Sequence, residues 1–148
     1  DSSEEAKEAT QNNNGHLLAR PLGQRILANT IGKMRNEENP VALSTIFKKI
    51  RKFSDAGGFS HINNPKNIFY GLVWDGNNNK MKMTSKNAAI KLLIYMLRGQ
   101  VDVDELTEAY QNARTNLGAL KGGQIFWNSD GEKVDSKEQI ELPDQISG

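Results

Sequence analysis

A chain of 148 residues with a hydrophobic fraction of 36% and a mean hydropathy of −0.64 has room for one packed domain between polar ends. The absence of cysteine excludes disulfides, thiolate metal sites and a cysteine nucleophile, and no apolar run nears the ~20 residues that span a bilayer, so a soluble protein is expected. The net charge of +1 conceals a segregation: residues 1–14 carry −3, residues 128–148 carry −4, and residues 15–127 carry +8 from sixteen Lys/Arg against eight Asp/Glu.

A basic centre between acidic ends favours an anionic partner. The plainer alternative is a solvated surface of uneven charge. The first residue is Asp1 and not Met, as in a processed or trimmed chain, and the sequence assigns no compartment.

Residues 1–14 are acidic and aperiodic, which predicts a disordered tail ahead of a single α+β domain over 15–134. Pro21 suits the first turn of a helix running to about Asn36, with Ile26, Leu27, Thr30, Ile31 and Met34 on one broad face; Gly23 and Gly32 weaken it. Asn39 and Pro40 are suited to cap and begin a second helix ending near Ala56. Its apolar stripe is Leu43, Ile46, Phe47, Ile50 and Phe53. Lys48 and Lys52 lie opposite that stripe, with Lys49 and Arg51 on its flanks. Cations late in a helix complement its dipole, but four together also form a binding face.

After a loop over 59–67, a strand is expected at Ile68–Trp74. It is joined through Asp75-Gly76-Asn77-Asn78-Asn79 to a short strand at Lys80–Thr84, where the methionines pack inward and Lys80 and Lys82 face out. The most apolar run in the chain, Ala88–Leu97, is interrupted only by Lys91 and predicts a helix buried on most sides. Asp102, Asp104 and Glu105 cap and begin a fourth helix with the stripe Leu106, Ala109, Tyr110, Ala113, Leu117 and Leu120, stopped by Gly122-Gly123. A second hairpin follows, Gln124–Trp127 turning through Asn128–Gly131 into Glu132–Val134. Residues 135–148 read as an acidic mobile tail in which Ile140 and Leu142 are the candidates for docking. The fold class is therefore helix-dominated α+β: about four helices and two β-hairpins.

Catalytic chemistry finds little support. Ser60-His61 are neighbours in a loop with no third partner, and adjacency alone does not create a nucleophile and base. The run from Asp75 resembles a calcium loop only at its start, since Lys80 and Lys86 occupy the places of its glycine and its glutamate. Asp102, Asp104 and Glu105 are explained by a helix N-terminus without a cation. No cofactor and no metal are expected.

The expected function is non-enzymatic binding of nucleic acid, RNA or a single strand more than a specific duplex. Lys48, Lys49, Arg51 and Lys52 would hold phosphates, joined by Lys66, Arg25 and Lys33 and at the margin by Arg20 and Arg35. Acidic ends able to visit that face would compete with the ligand. The order helix, turn, helix, hairpin from Ser85 to Val134 also matches a winged helix-turn-helix, with Gln111, Asn112, Arg114 and Asn116 toward base edges and Lys133 on the wing. Against it, Asp102, Asp104, Glu105 and Glu108 crowd the end that would meet the phosphates. The rival function is a protein-protein interaction module, such as a secreted effector or a virion or assembly component, with self-association included.

Overall fold

The computed structural model describes residues 16–118 and 122–147. Four helices are α1 (Pro21–Arg35), α2 (Leu43–Asp55), α3 (Lys86–Met96) and α4 (Val103–Ala113). Two small antiparallel sheets accompany them: β1 (Trp74–Asp75) with β2 (Lys80–Met81), and β3 (Thr115–Leu117), β4 (Gln124–Trp127) and β5 (Lys133–Val134) in the order β3-β4-β5. The fold is helix-dominated α+β. No helix among the described residues is long and apolar enough to cross a membrane.

The centre of the core is α3. Ala89, Ile90, Leu92, Leu93, Ile94 and Met96 are all buried, as a helix apolar nearly all round requires. α1 lies along it, burying Leu22, Ile26, Thr30 and Met34, and α4 covers another side with Leu106 and Tyr110. The glycine that weakens α1 has a packing reason: a Cβ on Gly23 would fall 2.0 Å from the Leu17 carbonyl oxygen. The start of α4 follows its acidic residues, with the Asp102 carboxylate accepting from the Glu105 N–H at 3.1 Å. Glu105 in turn pairs with Lys91 at 2.7 Å, so the acidic cluster serves a helix start and a crossing between α4 and α3.

Several expected boundaries move. α2 begins at Leu43 and not at Pro40; its cap residue is Ala42, with no side-chain cap bond. The preceding linker is held differently, through the Glu37 carboxylate, which accepts the Gln100 N–H at 2.6 Å in the turn between α3 and α4. The strand expected at Ile68–Trp74 reduces to its last residue, because Phe69, Tyr70, Leu72 and Val73 are all buried and a one-faced strand would point half of them outward. The segment is wound into turns instead, with the Leu72 and Val73 N–H groups donating to the Phe69 carbonyl at 2.9 and 3.0 Å. Gly71, at φ 88°, lets it pass against the α4 terminus, where a Cβ would meet the Ala113 carbonyl oxygen at 2.1 Å.

The expected fourth helix is shorter than its stripe. It ends at Ala113, and Thr115–Leu117 pair with Gln124–Phe126 as a strand, leaving Leu117 72% exposed. Leu120 lies outside the described residues. The second hairpin forms as expected, with Phe126 opposite Val134 and Trp127 opposite Lys133.

The acidic segment expected to be a mobile tail is seated on the domain over its described part, residues 135–147. Ile140 and Ile146 join the core, and Leu142 packs against it. Its polar groups finish what α3 leaves open: the Ile146 N–H donates to the Met96 carbonyl at 2.9 Å and Gln145 Nε2 to the Tyr95 carbonyl at 2.9 Å. The Tyr95 carbonyl also accepts the Arg98 N–H at 3.0 Å, so the docked segment adds to the helix's own C-terminal cap. Residues 1–14, the expected disordered tail, lie outside the described residues.

Candidate nucleic-acid interface

α2 is anchored by its inward side. Ile46 and Ile50 are buried, and Phe53 meets Phe59 edge-on at 4.9 Å between ring centroids. At 3.6 residues per turn this leaves two parallel rows facing solvent, Leu43-Phe47-Arg51-Asp55 and Ser44-Lys48-Lys52, with members four apart. Lys48, Arg51 and Lys52 are exposed on these rows. Lys49 differs from them: it is 7% exposed and shares the inward side with Ile46 and Ile50, because its helical angle falls among theirs.

The four cations line one groove of about 380 Å³, together with Asp55 and Ser147. Lys49 is the buried member of that lining, and the other three are exposed. Ser147 enters because Ile146 is docked on the core, and Lys52 Nζ donates to the Ser147 carbonyl at 3.3 Å and to its hydroxyl at 3.2 Å. The C-terminal segment thus meets the basic face through a neutral serine at Lys52. Asp55 is the one carboxylate in the lining and opposes an anion at that end of the groove.

The remaining basic candidates are elsewhere. Arg25 and Lys33 are exposed on α1 and line no part of the groove. Lys66 is exposed beside a separate cleft of about 340 Å³ at the C-terminal end of α2, lined also by Phe53, Gly58, His61 and Asn64. His61 holds φ 58° in that loop, where its N-terminal neighbours Gly58 and Ser60 give their carbonyls to Asn67 Nδ2 at 2.9 and 2.8 Å. The second hairpin brings Lys133 Nζ to 5.6 Å from the centre of the Trp127 ring. On the first, Lys80 is exposed and Met81 half-buried, but Met83 is 61% exposed, so the inward methionine pattern holds only at its first member.

The winged arrangement does not present its reading residues. Arg114 is fully buried, and its guanidinium is enclosed by main-chain carbonyls. Nε donates to Trp127 at 3.1 Å, Nη1 to Asn67 at 3.0 Å and Tyr70 at 3.1 Å, and Nη2 to Asn128 at 2.6 Å and to Pro65. Burial pushes its pKa below the usual value, opposed by Tyr110 and Tyr70. Gln111 donates to the Ile140 carbonyl at 3.1 Å, Asn112 accepts from Lys137 at 3.1 Å, and Asn116 donates to the Tyr70 hydroxyl. All four polar side chains are engaged within the chain, and the helix that carries the first two begins with acids.

Two features of the interface are invisible in the spacing of the cations. One is Ser147, which needs the fold of the C-terminal segment. The other is Phe47, assigned to the apolar stripe yet 51% exposed, with Leu43 beside it at 37%. The stripe itself held a signal: Ile46, Ile50 and Phe53 already make a complete inward row, and Leu43 and Phe47 widen it to one side. No protein-family model, curated protein or solved structure matches this chain.

Proposed function

We propose that this chain is a non-enzymatic nucleic-acid-binding protein that takes RNA or another single strand on the solvent side of α2. The observation that carries the reading is the convergence of Lys48, Arg51 and Lys52, together with the buried Lys49, on one groove. Cations so grouped neutralise successive phosphates and release their counterions, and the resulting affinity depends on salt more than on base sequence. A single strand is favoured over a specific duplex because Gln111, Asn112, Arg114 and Asn116 are spent on internal bonds, so α4 does not serve as a groove-reading helix.

The test is titration of a labelled single strand at several salt concentrations against the parent and the Lys48→Gln/Arg51→Gln/Lys52→Gln variant. The variant should bind all sequences more weakly, with a salt slope shallower by ~0.7 per lost phosphate contact. Unchanged affinity and slope would remove the site.

A second reading, a protein-protein interaction module, rests on the exposed Leu43, Phe47 and Leu117. It expects binding to a protein partner that varies little with salt, and no affinity for oligonucleotides.

A further inference from the structure

Phe47 stands where burial gives it no reason to be. The inward side of α2 is filled by Ile46, Ile50 and Phe53, and the Phe47 ring is 51% exposed one turn from Arg51 and next to Lys48. Side chains four apart on a helix have Cβ atoms about 5–6 Å from one another. A nucleotide has the matching layout, a flat π-face and a phosphate joined through one sugar. We infer that Phe47 is a base-stacking platform, and that the ligand of the α2 face is single-stranded nucleic acid with at least one unpaired base laid on its ring while the phosphates meet Lys48, Arg51 and Lys52. The inference rests on the nucleic-acid reading of that face and adds to it the state of the ligand. In a duplex the base faces are already covered by their neighbours, whereas an unpaired base offers one.

Charge selects this occupant over the others an exposed aromatic admits. A second copy docking symmetrically through Phe47 would apply the same patch to itself and set Lys48, Arg51 and Lys52 of one copy against those of the other. A polyanion brings the opposite charge to the same three side chains. Stacking is tolerant of base identity, since every base has a π-face, which agrees with a helix, Leu43–Asp55, that carries neither Asn nor Gln.

The experiment uses the full chain and two fluorescent probes of equal length, an oligo-uridine strand and a strand of abasic sugar-phosphate. Phe47→Ala should weaken oligo-uridine binding roughly 5- to 150-fold, with the salt slope unchanged, because no phosphate contact is lost. The same variant should bind the abasic strand as the parent does, and Phe47→Trp should retain or tighten oligo-uridine binding. An exposed side chain is replaced, so all forms should melt together. Equal oligo-uridine affinity for Phe47→Ala and parent overturns the inference. So does a parent that sediments as a dimer and becomes a monomer on Phe47→Ala, which would assign the patch to a second copy. If the triple cation variant binds like the parent, the underlying reading of the α2 face fails and the stacking inference falls with it.

Discussion

Arg114 is the residue whose removal the structure weighs most heavily. Its five N–H donors reach six carbonyl oxygens from two separate segments, since Nη1 also approaches Ile68 at 3.4 Å. The guanidinium lies 5.7 Å from the Tyr70 ring centre and 5.3 Å from that of Tyr110. It therefore ties the loop at 65–70 and the β4–β5 turn to the end of α4. Arg114→Met keeps most of the volume and deletes every donor. A net hydrogen bond to a charged group contributes about 1.5–3 kcal/mol, and each buried carbonyl left without a partner costs about 1–3 kcal/mol. These terms do not add fully, and the substitution also removes the cost of burying the charge, so the expected loss is about 4 kcal/mol or more. Against a domain stability of about 5–15 kcal/mol that is enough to threaten folding. Arg114→Lys retains the charge but has three donors, and should fall between the two. Urea unfolding followed by far-ultraviolet circular dichroism and by tryptophan fluorescence measures both variants, Trp127 being one of the residues Arg114 holds. A Met variant within about 1 kcal/mol of the parent, with an unchanged denaturant slope, would refute the idea that this network holds the segments together.

Tyr110 is fully buried with a hydroxyl that finds no hydrogen-bond partner among the described residues, and burial pushes its pKa up to about 12. The unfolded chain loses that proton near pH 10 while the folded one keeps it, so stability is complete below pH ~10 and falls by roughly 2–3 kcal/mol as pH rises to ~12. Tyr110→Phe should flatten that decline in an alkaline denaturation series and cost little at pH 7; an unaltered profile would exclude Tyr110 as its source. Leu93→Ala, at a fully buried position of α3, should destabilise by ~2–5 kcal/mol in the same urea assay, and a loss near zero would deny α3 its central place. Gly71→Ala, at φ 88° and against the Ala113 carbonyl, should cost about 2 kcal/mol or more, whereas Gly32→Ala on open α1 surface should be neutral or stabilising.

What could be read from the sequence, and what could not, follows from how local each cause is. The burial of α3 is written in an uninterrupted apolar run, and the starts of α1 and α4 in Pro21 and Asp102, because those causes lie within a few residues of their effects. The fate of Ile68–Val73 depends on what surrounds it on both sides: its β-type residues predict a strand, but the segment turns back on itself, the Leu72 and Val73 N–H groups meeting the Phe69 carbonyl. The α4 stripe continued in period past Ala113, but no apolar surface waits for Leu117, and pairing with Gln124 wins. The same distinction divides the interface. The outward rows of α2 were legible from spacing, the depth of Lys49 from its angle only once the inward side is known, and the seating of Ser147 not at all.

Counting cations along a chain treats each as available to a ligand, and here that is the step that misleads. Arg114 contributes to the central excess of +8 as a structural cross-link, sealed from any phosphate. Lys91 is paired with Glu105, and Arg98 donates to Gln145 at 2.9 Å. What these internal uses leave is divided: Arg25 and Lys33 lie on α1 and Lys66 beside the separate cleft, while a helix anchored along Ile46, Ile50 and Phe53 turns Lys48, Arg51 and Lys52 to water together. Nor do the acidic residues of the C-terminal segment act as a free counter-chain. The docking of Ile140 and Ile146 fixes where that segment runs, and deleting all of 135–148 would strip core side chains along with the charge. Any competition between that segment and a ligand of the α2 face is therefore tested at Lys52 and Ser147, the contact the fold supplies.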